Sequence, residues 1–174
     1  MSTRSYICIE NTDHTYTGIY CHSDGYLTYN GAMLLDHYSS RDKVIKLLSL
    51  GDISILKSKI EPDVNKVHSF DERQEDVCVF YGRDRGETGT EAKQVDLKEL
   101  DSPYSWIEYC YIYTLDNKWK YFECGSLEQG LKFLEEGLDS EYRKLGFKRP
   151  KDVYGFYTSS DIEYYKSLQN DNEL

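Results

Sequence analysis

Two short stretches of this 174-residue chain carry residue types that bind ligands or do acid/base chemistry. In the first, Tyr20, His22, Asp24 and Tyr26 occupy alternate positions. Alternate residues of a β-strand share a face, so Tyr20 and His22 are predicted to point the same way. A carboxylate that hydrogen-bonds an imidazole orients it, which is the role predicted for Asp24. Asp24-Gly25 is equally typical of a hairpin turn, with Gly25 at positive φ and no chemical role.

Arg4 and Asn30 extend this first candidate site. Arg4 stands just before the first predicted strand, and pairing of the first two strands would place it near the same end of the sheet. Asn30 follows the stretch closely and is also the predicted N-cap of a helix. Cys21 beside His22 suggests a nucleophile and a base, but neighbours in a strand face opposite ways, so that dyad has poor geometry.

The second candidate site is the loop of Arg83, Asp84, Arg85 and Glu87, which contains three glycines between positions 82 and 89. Glycines let backbone amides approach a ligand, and two arginines can grip a phosphate or a carboxylate through paired hydrogen bonds. Alternatively, Asp84 and Glu87 pair with the two arginines and only stiffen the loop. No Gly-Lys-Ser/Thr follows, so this is not a Walker loop.

Neither a metal nor a cofactor is predicted. The chain has no CxxC pair, and its other histidines show no metal-ligand spacing. The five cysteines are interpreted as reduced thiols, mostly in apolar stretches. They are Cys8, Cys21, Cys78, Cys110 and Cys124.

Charge and tyrosine content narrow the classes of partner. The net charge of −10 is concentrated in residues 61–125, which hold 15 acids and 8 bases. An acidic surface repels phosphate backbones, so direct nucleic-acid binding is not expected, whereas imitation of DNA towards a basic protein stays open. The 17 tyrosines suit half-buried strands and binding surfaces alike.

No apolar run approaches the roughly 20 residues that a membrane helix needs. The first ten residues lack the basic start and apolar stretch of a signal peptide, so the chain is expected to act in the cytoplasm without contacting a membrane.

The elements around these sites predict an α+β fold, with a mostly antiparallel sheet and helices packed on one face. Strands are predicted over 5–10 and 16–22, a central strand over 77–81, and a hairpin from 105–114 and 119–124, with 26–29 briefly continuing the sheet. Helices are predicted from Asn30, from Ser40 to a Gly51 cap, from a capping box at Ser126, and over 160–168. Residues 1–125 are interpreted as the core domain and 126–174 as a helical C-terminal extension packed on it.

Several blocks in order resemble an uncharacterised family of small proteins of bacteriophages and mobile elements. The blocks are STRS from Ser2, YCHSDGYLTYNGAMLLDHY from Tyr20, LGDIS from Leu50, CVFYGRDRGETG from Cys78 and the EYCYIY…W hairpin. The resemblance covers roughly residues 2–124, and one departure is Ser23, where the family has tryptophan after the histidine. It implies a protein of the bacterial cytoplasm that blunts a host defence.

Three functions therefore remain open. The leading one is a non-catalytic binder that docks on a host defence protein, with tyrosines as anchors and acidic groups facing a basic channel. In the second, Arg83 and Arg85 hold the phosphates of a nucleotide-like signalling ligand. In the third, the chain is a small enzyme with His22 as acid or base.

Overall fold

The computed structural model describes residues 2–172, whose strands form one eight-stranded sheet. The strands are Ser5–Glu10 (β1), Tyr16–Cys21 (β2), Ile53–Ile55 (β3), Val79–Phe80 (β4), Lys93–Val95 (β5), Tyr109–Tyr113 (β6), Trp119–Glu123 (β7) and Lys132–Phe133 (β8). The order is β4-β3-β2-β1-β6-β7-β8, and β5 also pairs with β2. Only β1–β6 and β2–β3 are parallel pairs. The mostly antiparallel α+β fold is thus confirmed.

Six α-helices accompany the sheet in the described residues. They are Ala32–His37 (α1), Arg41–Ser49 (α2), Tyr81–Arg85 (α3), Leu97–Leu100 (α4), Leu134–Leu145 (α5) and Ser159–Asn172 (α6). Ser40 caps α2 by accepting from the Lys43 amide, and Gly51 follows that helix at positive φ, as predicted. No helix within residues 2–172 combines the length and the apolar character needed to cross a membrane.

Strand alternation divides the core between the two faces of the sheet. One face presents residues such as Ile7, Ile19 and Tyr111, which pack with the buried residues of α1, α2 and α5. The other face presents Cys8, Cys110, Ile112 and Phe122. Leu100 of α4 and Ile107 of the turn that follows pack against these residues and cover this face. The longer helices therefore lie on one face, as predicted, while the short α4 packs on the other.

The segment from Ser126 shares the core of the preceding residues. Its strand β8 pairs with β7, and Leu134, Leu138 and Tyr142 form a buried stripe along α5 at four-residue spacing. The predicted capping box at Ser126 is wrong, because residues 127–129 form a 3₁₀ turn without a side-chain cap and α5 begins at Leu134. The reason is non-local, because Lys132 and Phe133, which a longer helix would include, pair with β7 as strand β8.

Gly137 marks a close approach between α5 and the sheet, and Gly137→Ala is expected to destabilise the fold. An added methyl group would lie 2.5 Å from Cε1 of the buried Tyr121. Overpacking costs roughly 1–3 kcal/mol, which outweighs the gain of about 1 kcal/mol in helix propensity. Urea denaturation would measure the free energy of unfolding. Ser140→Ala, exposed on the same helix, should change it little, and a stabilised Gly137→Ala would contradict the close approach.

Four further expectations about local structure are wrong. Residues Leu27–Gly31 form a π-helical turn rather than sheet, so Asn30 lies inside this helical segment and does not cap it. Asp24, not Gly25, has the positive φ of 55°, and Gly25 is needed because a Cβ there would lie 2.8 Å from that of Ser5. The predicted central strand over 77–81 is reduced to β4 at the edge of the sheet.

Candidate functional site

Tyr20 and His22 form a hydrogen-bonded pair on β2 and the residue that follows it. The Tyr20 hydroxyl lies 2.8 Å from His22 Nδ1, and the two ring centroids are 6.0 Å apart. This confirms that the two side chains share a face. Burial raises the pKa of Tyr20, with the charge of Arg4 opposing the change, so the phenol keeps its proton and can donate it to Nδ1. In the tautomer that accepts this bond, the imidazole carries its proton on Nε2 and presents it as a donor.

Asp24 does not orient His22, and that prediction is wrong. The Asp24 carboxylate instead accepts from the Tyr26 hydroxyl at 3.1 Å. Burial first, and the Asp24 charge second, raise the pKa of Tyr26 to about 12. The Tyr20 hydroxyl is therefore the group that orients the imidazole.

Asn30 and Cys21 belong to the core beneath this pair. The Asn30 amide donates to Ser5 Oγ at 3.1 Å and to Cys21 Sγ at 3.3 Å. Its oxygen is buried and has no hydrogen-bond partner among residues 2–172. Cys21 faces away from His22, and burial raises the pKa of its thiol to about 12. The Cys21–His22 dyad is therefore absent, as the strand geometry predicts.

Tertiary packing adds Tyr6, Asp52 and Tyr81 around the pair. Tyr6 stands opposite Tyr20 in the β1–β2 register, with ring centroids 6.1 Å apart. Asp52 accepts from the Tyr20 amide at 2.8 Å through its carboxylate, and its carbonyl accepts from the Tyr81 amide at 3.1 Å. Arg4 lies close enough for its charge to act on the Tyr20 phenol. Together these residues make up the Tyr20–His22 patch, which consists of Arg4, Tyr6, Tyr20, His22, Asp52 and Tyr81.

Alkaline pH should destabilise the fold through its half-buried phenols. Burial raises the pKa of Tyr6 and Tyr109 to about 12, against 10.0 for a free phenol. Below pH 10 their contribution to stability is complete, and it is lost as pH rises to about 12, because the unfolded chain releases those protons first. Urea midpoints measured from pH 8 to pH 12 should fall only above about pH 10. An unchanged midpoint up to pH 12 would contradict this burial.

The charged loop of the second candidate site is largely committed to the fold. Arg83 donates to both oxygens of Asp84 at 2.9 and 3.1 Å, to the Ile60 carbonyl at 2.6 Å and to the Cys78 carbonyl at 3.0 Å. Its guanidinium also lies 4.8 Å from the centroid of the Phe80 ring. Asp84, with a side chain 3% exposed, accepts from the Phe80 amide at 2.8 Å. Arg83 and Asp84 lie in the short helix α3, and their side chains anchor the preceding loop to it.

Arg85 and Glu87 form the outer part of the same segment. Their side chains are 3.4 Å apart, and the Arg85 guanidinium lies 4.7 Å from the Phe70 ring centroid. The alternative in which the acids pair with the arginines thus describes both pairs, Arg83–Asp84 and Arg85–Glu87.

A surface that sequence reasoning missed lies in the turn before β6. Tyr104 is 87% exposed and Trp106 is 75% exposed, two residues apart. Ser102 accepts from the Tyr104 amide at 3.2 Å, and the Ser105 hydroxyl donates to the Leu100 carbonyl at 2.8 Å, so hydrogen bonds hold the turn in place. Trp106 has a φ of 64°, a left-handed conformation that costs a bulky L residue of order 1–3 kcal/mol.

Acidic residues flank this Trp106 turn, defined here as residues 101–108. Glu99 and Glu108 are exposed on either side of it. The Cys124 amide donates to the Glu108 carbonyl at 2.9 Å, which brings the exposed Glu123 alongside. Residues 96–128 hold seven acids and three bases, a net of −4. The Glu108 amide donates to the Arg4 carbonyl at 2.8 Å, so the turn and the Tyr20–His22 patch share one end of the sheet.

The Tyr20–His22 patch and the Trp106 turn differ in the groups that they present. The patch carries one imidazole, and the thiol of the adjacent Cys21 is buried in the core. No group of three or more His, Cys, Asp or Glu side chains within residues 2–172 could hold a metal ion. The aromatic rings, the arginine and the acidic side chains of these two surfaces are suited to binding another molecule. Comparison of the chain with protein-family models, curated proteins and solved structures gives no match.

Proposed function

We propose that this chain is a non-catalytic binding protein whose Trp106 turn docks on a basic surface of a partner protein. The observation that carries the proposal is the pair of exposed aromatic rings, Tyr104 and Trp106, on a hydrogen-bonded turn with an acidic rim. In the setting that the family resemblance implies, the partner is a defence protein in the cytoplasm of a bacterial host.

The physical roles in such a complex divide between rings and charges. Tryptophan and tyrosine dominate the binding energy of many interfaces because they bury a large rigid area at little entropic cost. The acids around the turn would accelerate encounter with a positively charged partner and suppress binding to acidic proteins. A defence protein that binds nucleic acid presents such a basic surface, where carboxylates take the positions of phosphates.

The internal bonds of Arg83 weigh against capture of a nucleotide-like ligand by the Arg83/Arg85 loop. Four hydrogen bonds to Asp84, Ile60 and Cys78 would have to break before Arg83 could reach a phosphate. The enzyme alternative is weakened because Asp24 bonds Tyr26 and not His22.

Phage plating tests this proposal directly. Strains that each carry one defence system would be infected with a phage which that system restricts, with and without expression of the chain. Restored plating in one strain, lost in a Tyr104→Ala/Trp106→Ala variant, is the expected result. Rescue that survives this double substitution but is lost in Arg85→Ala would contradict docking by the turn and favour the ligand alternative.

A further inference from the structure

The C-terminal end of α5 carries a basic tract in an otherwise acidic protein. Residues 143–151, with the sequence RKLGFKRPK, contain five bases and no acid, whereas the whole chain has 31 acids and 21 bases. Arg143 and Lys144 lie in the last turn of α5, where cations interact favourably with the helix dipole. Lys148, Arg149 and Lys151 lie beyond the helix, so the dipole does not account for them.

A cavity of about 560 Å³ opens beside this tract. That volume falls within the roughly 300–1,000 Å³ typical of small-molecule sites. Arg143, Lys148 and Arg149 supply its cations, and the outer edges of the largely buried Tyr142 and Phe147 rings supply an apolar floor. Gln169 of α6 also lines it, and its amide donates to the Lys148 carbonyl at 3.2 Å, which joins α6 to the tract.

The three cations of the cavity differ in whether they are paired with an acidic side chain of the protein. Arg149 donates to both oxygens of Asp36 at 2.8 and 3.0 Å, so its charge is largely neutralised and its position fixed. Arg143 and Lys148 are exposed and form no ion pair with any residue in the described part of the chain. Asp139 is the one acid that lines the cavity within the described residues. Two cations are therefore available to an incoming anion.

We propose that this cavity binds a small phosphate-bearing molecule of nucleotide size, with Arg143 and Lys148 on the phosphates and the apolar floor of Tyr142 and Phe147 beneath the rest. Arginine and lysine are the usual phosphate-binding residues of proteins. The ligand is small and not a nucleic acid, because the net charge of −10 repels an extended polyanion more strongly than a compact anion beside the basic tract. This site is independent of the Trp106 turn and of the Arg83 loop.

Isothermal titration calorimetry with ATP, pyrophosphate and adenosine tests the site. ATP is expected to bind saturably at low salt, pyrophosphate more weakly, and uncharged adenosine not measurably. Removing two charge-assisted contacts in Arg143→Gln/Lys148→Gln should weaken ATP binding about 100-fold, tenfold for each cation. The matched control is Lys66→Gln/Lys98→Gln, which removes two exposed cations outside the tract and should leave the affinity within about twofold.

Three outcomes would overturn the proposal. They are the absence of saturable binding of both ATP and pyrophosphate, an equal loss of affinity in the control, and binding of a 20-nucleotide DNA without binding of ATP. The last result would assign the tract to nucleic acid. Because Arg143→Gln/Lys148→Gln leaves the Trp106 turn intact, its effect on ATP is separable from any loss of phage plating.

Discussion

Asp84→Asn is expected to lower the free energy of unfolding by about 3 kcal/mol, because it leaves a partly buried arginine without its counter-charge. The Asp84 carboxylate accepts from Arg83 and from the Phe80 amide, and it lies 3.4 Å from His68 Nε2. An amide in its place turns one acceptor into a donor that faces other donors. Arg83 would then be less well held against the carbonyls of Ile60 and Cys78.

The loss of stability in Asp84→Asn should be greatest in the long irregular loop that precedes β4. Its two ends are joined to Arg83 through Ile60 and Cys78, and His68 approaches the Cys78 carbonyl at 3.1 Å from inside the loop. Amide hydrogen exchange should therefore be fastest over residues 60–78 in the variant, and urea denaturation should report the global change.

Glu87→Gln in the same segment is the matched control. Its ion pair with Arg85 is between side chains 42% and 52% exposed, so its loss should cost less than about 1 kcal/mol. If both substitutions had equal small effects, Asp84 would not be the anchor of the loop, and a binding role for the whole segment would regain weight.

Trp106→Ala is expected to weaken binding of the partner at least about 30-fold, the loss of roughly 2 kcal/mol that defines an interface hot spot. The folded chain itself should lose little stability, because the side chain is mostly in solvent. Trp106→Gly, by contrast, should stabilise the fold. It should raise the free energy of unfolding by about 1 kcal/mol, because glycine adopts a φ of 64° without the steric cost. Thermal denaturation and phage plating together measure the two effects.

A gain of stability with a loss of function would identify the strained turn as a binding feature. Tyr164→Ala is the control, because it removes another exposed aromatic ring, on α6, and should leave plating unchanged. Equal losses of plating in Tyr164→Ala and Trp106→Ala would point to non-specific adhesion of exposed rings. An unstabilised Trp106→Gly would show that the turn carries no strain.

Elements with local causes were predictable from the sequence. The strand Ser5–Glu10, the β6–β7 hairpin and helix α2 have their turn residues or caps within a few positions. The side-chain period of a strand likewise placed Tyr20 and His22 on one face and Cys21 on the other, as the structure has them. The acidic character and the α+β class follow from composition and pattern in the same way.

Elements whose limits depend on distant residues were not predictable. The apolar run from Val77 reads as a central strand, but Asp84 and Arg83 turn the chain into α3 after only two paired residues. The start of α5 depends on the pairing of β8 with β7. Pattern alone cannot place such boundaries, because it contains no information about strand order.

The same division holds for the functional surfaces. The sequence determined that a tyrosine and a histidine share a face and that acids cluster after residue 60. Only the tertiary structure decided that Tyr6 and Asp52 join them, because strand register is a non-local property. It also decided that Arg83 is bound internally. The hairpin strand predicted over 105–114 begins only at Tyr109, so Trp106 lies in the preceding turn and faces solvent. Burial depends on what packs against a residue, and no local pattern specifies that.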